Sequence, residues 1–167
     1  MNLLARELKK LKIVKRGRVV LKSGEVSDFY VDMKKAFGDP RAFSLICSEL
    51  CKIIDKRATC VAGSGHGGLP LATAVSLRLK LPLVLVRDSD KKHGLSKLID
   101  GYVPGKKDKV VVIDDVFSSG TSISNTVRAL NKTKSKIVAG YVVVSRGDAS
   151  NFKISINSLL DHRKLLN

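Results

Sequence analysis

Residues 110–122 read Val-Val-Val-Ile-Asp-Asp-Val-Phe-Ser-Ser-Gly-Thr-Ser, and this stretch has the clearest chemical content of the 167-residue chain. Four apolar β-branched residues predict a buried strand, Asp114 and Asp115 end it, and Ser118, Ser119, Gly120, Thr121 and Ser122 open a helix with Ile123, Val127 and Leu130 on one face. Backbone N–H groups at a helix start, joined by hydroxyls, suit a monophosphate. Adjacent carboxylates accept hydrogen bonds and suit the hydroxyls of a sugar. A plain strand-end turn with hydroxyl caps accounts for Ser and Thr, but it leaves two adjacent acids beside a phosphate nest without a reason.

A second loop, Gly63-Ser-Gly-His-Gly-Gly68, matches G-x-G-x-x-G between a strand and a helix, with Asp88 twenty residues beyond Gly68. That pattern can bind a dinucleotide. Such a reading leaves residues 114–122 without a role, and the chain has little room for a separate substrate domain. Cys47 and Cys51 lie four apart on a helical pattern but have no third or fourth metal ligand near them, so packing is the expected use.

The elements that must position these loops follow from periodicity. Leu3, Leu4, Leu8 and Leu11 recur at helical spacing, and residues 18–22 and 29–33 read as strands around a turn at Ser23, Gly24 and Glu25. Asp39 and Pro40 form a helix start, with Phe43, Ile46, Leu50, Ile53 and Ile54 on one face. From Thr59 onward, continuous apolar runs at 60–62, 83–86, 110–113 and 137–144 alternate with helical patterns at 69–79 and 123–130. This predicts an α/β fold with a mostly parallel sheet covered on both faces, its ligands at the carboxyl ends of the strands in loops 63–68, 88–105 and 114–121. Phe152, Ile154 and Ile156 alternate as a further strand, Ser158 is expected to begin a short helix, and His162 is expected at the surface outside every motif.

Composition fits one compact domain over residues 1–167, with 44% hydrophobic and 28% charged residues. The apolar runs fall far short of the roughly 20 residues that span a bilayer, and the charged start of the chain is unlike a signal peptide, so a cytoplasmic protein with free thiols is expected. Lys+Arg number 31 against 15 Asp+Glu, a net charge of +16. Such a field attracts polyanions of any kind, whether nucleic acid, an anionic membrane or a phosphorylated small molecule. With 5% aromatic residues and no Trp, a stacking platform for single strands is disfavoured.

The segment 110–122 resembles the ribose-phosphate motif of type I phosphoribosyltransferases, a hydrophobic strand, two acids and a hydroxyl-rich loop containing Gly-Thr. The resemblance implies that Asp114 and Asp115 hold the ribose hydroxyls of 5-phosphoribosyl 1-pyrophosphate (PRPP), and that Ser118, Ser119, Gly120, Thr121 and Ser122 hold its 5′-phosphate. Gly65, His66, Gly67 and Gly68 would line the pyrophosphate, although bacterial orotate enzymes often carry a lysine where Gly67 stands. Leu21-Lys-Ser-Gly-Glu-Val-Ser-Asp-Phe-Tyr-Val-Asp32 resembles the N-terminal signature of orotate phosphoribosyltransferases, departing at Asp28, where proline is usual. It implies that Lys22 contacts pyrophosphate or the orotate region and that Phe29 and Tyr30 pack beside the flat base. Arg87-Asp-Ser-Asp-Lys-Lys-His-Gly94 resembles the family's mobile loop, with Arg87, Lys91 and His93 matching the groups that close over PRPP, Asp88 a departure from a basic residue and Lys92 the residue that would compensate for it. Arg146 matches the arginine that pairs with the base, and Ser118 also falls in the orotate region.

The resemblance therefore implies the type I phosphoribosyltransferase fold, a central mostly parallel sheet flanked by helices with a small N-terminal hood mainly in residues 1–38. It implies transfer of ribose 5-phosphate from PRPP to orotate, with Mg²⁺ held mainly by substrate rather than by direct protein ligands. Lys91, His93, Asp114 and Asp115 would carry catalysis in a homodimer whose loop reaches the neighbouring subunit's site. Transfer to another base, or a PRPP-sensing nucleic-acid-binding regulator on the same fold, are the alternatives. Neither a membrane nor nucleic acid is the expected partner.

Overall fold

The computed structural model describes residues 2–20, 24, 26–87 and 98–166. Helix α1 (Leu3–Lys10) is capped by the Asn2 side chain, which accepts from the Leu4 N–H at 2.9 Å, and it buries Leu4, Ala5 and Leu8. Strands β1 (Val14–Val20) and β2 (Val26–Val31) pair antiparallel into a two-stranded sheet, the hood hairpin expected from the sequence. The pairing shifts register between Arg16 and Val19, where Gly17 takes φ 129°. This bulge interrupts the two-residue alternation, so the first part of β1 gives no strand signal in the sequence. After the short helix α2 (Lys34–Phe37), helix α3 (Pro40–Ile53) starts where expected, the Asp39 carboxylate accepting from the Ala42 N–H at 2.8 Å.

The remaining elements are β3 (Cys60–Ser64), α4 (Gly65–Leu79), β4 (Leu83–Val86), β5 (Ile99–Gly101), β6 (Lys109–Phe117), α5 (Thr121–Leu130), β7 (Lys136–Ser145), β8 (Ile156–Asp161) and α6 (Arg163–Leu166). Six strands form one sheet in the order β5-β4-β3-β6-β7-β8, parallel throughout except for the antiparallel edge pair β4–β5. Successive strand residues feed two cores. Val61, Val111, Ile113, Tyr141 and Val143 pack with apolar residues of α1, α3 and α4, whereas Ala62, Val84, Val110, Val112 and Val142 pack with those of α5. Burial on both faces is why these strands read as unbroken apolar runs.

The chain leaves β3 toward β4 and β5 on one side and returns through β6 on the other. The carboxyl ends of β3 and β6 therefore flank a topological switch point, where connections diverge and leave a crevice. The loops beginning at Gly63 and Asp114 meet at this place.

Three expectations change. Residues 88–105, read as a loop, contain β5 at their described end. Helix α4 begins at Gly65 rather than Leu69, so its first turn is built from the glycine-rich motif itself. The expected strand through Phe152, Ile154 and Ile156 lies later, over Ile156–Asp161. Ser158 pairs with Val142 inside it, and the helix expected at Ser158 starts at Arg163. Phe152 instead meets Phe117 edge-on, with centroids 5.4 Å apart, and Ile154 packs against the α5-side core. Their alternation reflects two separate tertiary contacts, which periodicity alone cannot distinguish from a strand.

Candidate active site

Asp114 and Asp115 are the last carboxylates of a strand that continues beyond them to Phe117, with Asp114 registered opposite Val142 of β7. Asp114 is only 5% exposed. Its Oδ1 accepts from the Asp115 N–H at 2.9 Å, and the Asp115 Oδ1 accepts from the Val116 N–H at 2.8 Å. Burial pushes the Asp114 carboxyl up to about 7; the neighbouring Asp115 charge adds to the rise, and a hydrogen bond with Ser122 opposes it. The Lys34 ammonium stands 3.9 Å from Asp115 Oδ2. Burial works against the charged form of Lys34, but Asp115, a hydrogen bond with Tyr30 and the charge of Asp32 hold its pKa above the usual lysine value. Lys34 carries no signal in the sequence, since the signature segment ends at Asp32 and a lysine two residues later looks like any surface cation.

Gly67, in the first turn of α4, lies directly against Asp115. A β-carbon there would stand 2.5 Å from the Asp115 Cγ and collide with the carboxylate. The glycine therefore lets the loop after β3 and the acids of β6 share one crevice. Gly68 is equally confined, because a β-carbon would come 2.6 Å from the Ile113 carbonyl oxygen. Gly65 and the exposed His66 occupy the preceding positions of the same turn.

Helix capping divides according to position. The helices α1 and α3 are capped by side chains, but α4 and α5 have no side-chain cap hydrogen bond. Ser64, the residue before α4, turns its hydroxyl to Thr126 at 2.9 Å, and Gly120, the residue before α5, takes φ 74°. Ser119 and Thr121 hydroxyls pair with each other at 2.9 Å, and Ser122 turns to Asp114. The hydroxyl-rich loop is therefore not spent on capping its own helix. Two helix N-termini, each a partial positive pole with outward N–H groups, are left at the crevice.

Arg146 follows β7 and is tied to the neighbouring strand end by its N–H, which donates to the Phe117 carbonyl at 2.7 Å. Its guanidinium reaches the hood. One Nη donates to the Ser27 hydroxyl at 2.7 Å, and Cζ lies 4.3 Å from the centroid of the Phe29 ring. Gly147, next along the chain, approaches the Ser118 carbonyl so closely that a β-carbon could not fit, which holds the Arg146 turn against the phosphate-type loop. His162 lies within this cluster rather than apart from it, its ring stacked on Phe29 at 5.4 Å with an 11° interplanar angle. The sequence places it outside every motif because the contact joins residues far apart in the chain. Phe29 and Tyr30, expected side by side, diverge by strand alternation, Tyr30 turning to Lys34 while Phe29 carries Arg146.

Not all expected residues converge. Arg87 pairs across the sheet edge with Asp100, its Nε donating to the Asp100 carboxylate. Lys22, Lys91, Lys92 and His93 lie outside the described residues.

A pair of acids at the end of a central parallel strand, a hydroxyl-rich turn opening an uncapped helix and a glycine turn facing the acids form the arrangement that the phosphoribosyltransferase resemblance implies. The sequence matches the phosphoribosyl transferase domain family over residues 36–157. It is 36% identical over 151 residues to the orotate phosphoribosyltransferase of Methanothermobacter thermautotrophicus, covering 87% of this chain and 81% of that protein. The crystal structure of orotate phosphoribosyltransferase from Aeropyrum pernix superposes with a TM-score of 0.85 at 33% identity, covering 98% of this chain and 96% of that one. The Mycobacterium tuberculosis orotate phosphoribosyltransferase in complex with PRPP gives 0.74 at 28% identity, over 98% and 97% of the two chains. This chain belongs to the orotate phosphoribosyltransferase family.

Two outcomes follow from the geometry. Gly67→Ala should displace the Asp115 carboxylate while favouring the α4 helix by about 1 kcal/mol over glycine. Thermal melting should therefore show little or no loss, while KM for PRPP rises roughly 10- to 100-fold, the factor for losing one charged hydrogen bond. For Asp114, the unfolded carboxyl titrates near 3.8 and the folded one near 7. Between these values the folded state keeps a proton that the unfolded chain has released, so stability falls as pH rises through that window. Asp114→Asn cannot ionise and should melt at least about 3 °C higher than the parent at pH 8, the gain shrinking toward pH 4.

Proposed function

We propose that this chain transfers ribose 5-phosphate from PRPP to N1 of orotate, giving orotidine 5′-monophosphate and pyrophosphate in pyrimidine (UMP) biosynthesis. The observation that carries this reading is the convergence in one crevice of the Asp114–Asp115 pair, two uncapped helix N-termini and an arginine fork held over an aromatic ring. As a family member the chain is a pentosyltransferase.

In this reaction the bond from the anomeric carbon to pyrophosphate breaks as the bond to the base nitrogen forms. Positive charge develops on the ribose and negative charge on the leaving group. Asp114 and Asp115 accept hydrogen bonds from the ribose hydroxyls and fix the sugar in line with the base. Ser118, Ser119, Gly120, Thr121 and Ser122, at the start of α5, bind the 5′-phosphate. Gly65, His66, Gly67 and Gly68 present the first turn of α4 to the pyrophosphate, an electrostatic stabilisation of the leaving group. Arg146 offers a planar two-pronged donor to the orotate carboxylate or carbonyl edge, with Phe29 and Tyr30 on the hood side and Ser118 beneath.

The oxygen donors gathered here, carboxylates and hydroxyls, suit Mg²⁺. Bound through pyrophosphate oxygens and water, it would neutralise charge on the leaving group. Lys22, Arg87, Lys91, Lys92 and His93 enter this reading through the family resemblance, as the basic groups that close over PRPP. Arg87 would meet substrate beside its Nε contact with Asp100. The catalytic unit is residues 1–167, with the hood mainly in 1–38. It works as a cytoplasmic homodimer in which residues 88–105 of each subunit serve the neighbouring site. Among the described residues no helix is long and apolar enough to cross a membrane.

Pyrophosphate release should be followed with PRPP, Mg²⁺ and a panel of bases. Orotate should be the substrate used, and turnover of uracil or a purine in its place would overturn the assignment. Arg146→Ala should raise KM for orotate about 10- to 100-fold with little change for PRPP; equal losses for both would make the arginine structural. Mixing Lys91→Ala with an Asp114→Asn/Asp115→Asn double variant should restore activity after subunit exchange, because one site in each heterodimer regains both sets of groups. No recovery after confirmed exchange would remove the shared loop.

A further inference from the structure

Outside the groups already assigned to substrate, His162 stands out. It comes from the turn between β8 and α6, over a hundred residues from β2, and yet it packs on a hood residue that carries the base-side arginine. Its backbone N–H donates to the Ser145 carbonyl at 2.9 Å, and Nδ1 lies 3.3 Å from the same oxygen and 3.5 Å from Asp161 Oδ1. The imidazole is thus tethered to the residue immediately before Arg146. Its flat side lies on Phe29 at 5.4 Å and 11°, and Phe29 in turn has the Arg146 guanidinium 4.3 Å from its centroid. Ser27, two residues before Phe29, accepts from the same guanidinium at 2.7 Å.

We propose that His162 is a positioning residue for orotate recognition, its ring holding Phe29 as the platform on which the Arg146 fork is oriented. This rests on the reading of Arg146 as the base contact. The physical basis is the number of free torsions. An arginine side chain has many rotamers and loses affinity when its fork is free to wander. A ring beneath the guanidinium restricts it through cation–π contact, and that ring is useful only while its own orientation is fixed. Among the described residues β2 pairs with β1 alone; Phe29 also packs against the larger apolar core, and the imidazole stacked on its ring adds a second constraint from the main body. What the position requires is a flat aromatic face, so another aromatic ring should serve where an aliphatic side chain of similar bulk should not.

Steady-state kinetics with orotate and PRPP varied separately would test this on the parent and on His162→Ala, His162→Leu, His162→Phe and Arg146→Ala. His162→Ala should raise KM for orotate about 2- to 10-fold, the range an aromatic pair contributes, and leave KM for PRPP unchanged. His162→Leu, which keeps the volume and guards against simple loss of folding, should melt like the parent but keep the raised orotate KM. His162→Phe should return orotate KM to within about twofold of the parent. The proposal is overturned if His162→Ala leaves orotate KM unchanged, if it raises both KM values alike, or if leucine rescues as well as phenylalanine. If Arg146→Ala raises orotate KM while His162→Ala does not, the positioning role alone fails. If Arg146→Ala itself leaves orotate KM untouched, the base assignment of Arg146 fails and the role of His162 goes with it.

Discussion

Two neighbouring carboxylates at the buried end of β6 set the terms for the rest of the molecule. A charge taken out of water is expensive unless partners surround it, and two like charges side by side oppose each other. Asp114 meets this by burial in a form whose proton is held up to about pH 7, with the Asp115 N–H and Ser122 as partners. Asp115 is half-buried, with the Lys34 ammonium near it and Gly67 yielding the space its carboxylate fills. The sheet order makes this possible, because β3 and β6 are adjacent strands whose following loops part in opposite directions. A side chain at position 67 or another strand order would separate the glycine turn from the acids.

The helices obey the same constraint. A helix ordinarily satisfies its first N–H groups with an Asp, Asn, Ser or Thr at its start, as α1 and α3 do. At α4 and α5 the available hydroxyls are directed elsewhere, Ser64 to Thr126 and Ser122 to Asp114. Leaving these termini without side-chain caps forgoes stabilisation of about 0.5 to 2 kcal/mol at α4 and roughly a few tenths at α5, whose cap position is Gly120. The return is two positive poles facing the same crevice, a sound arrangement for a substrate with phosphate at one end and pyrophosphate at the other. Binding sites commonly give up stability in this way.

The hood has little core of its own, since a two-stranded sheet is marginal without something to pack against. It is attached to the body mainly by burial, with Leu4, Leu8, Ile13, Val31 and Met33 in the larger core, and Ser27, Phe29, Arg146 and His162 add a polar and aromatic link on the proposed base side. In the proposed reading Arg146 serves both the base and this link between hood and body. The net charge of +16 is a different matter. It belongs to the whole surface and acts at long range, drawing in anions without selecting among them, whereas selection depends on the short-range geometry of the crevice.

Several elements could be read directly from residues. The strand 110–113, the acids after it, the hydroxyl turn and the Asp39–Pro40 helix start are local patterns, fixed by interactions within a few residues, and the resemblance of residues 21–32 and 87–94 to known signatures added the base. Tertiary structure alone decided what depends on contacts distant in sequence. The Phe152–Ile154–Ile156 alternation looked like a strand because two unrelated packing contacts happened to share its period. β1 started early because a glycine bulge hid its alternation. Arg87 was drawn to Asp100 by an edge strand too short to announce itself. Lys34 and His162 gave no signal because a lone cation and a lone imidazole have no periodicity. Each gains its meaning from a partner, Asp115 or Phe29, that the chain brings near only by folding.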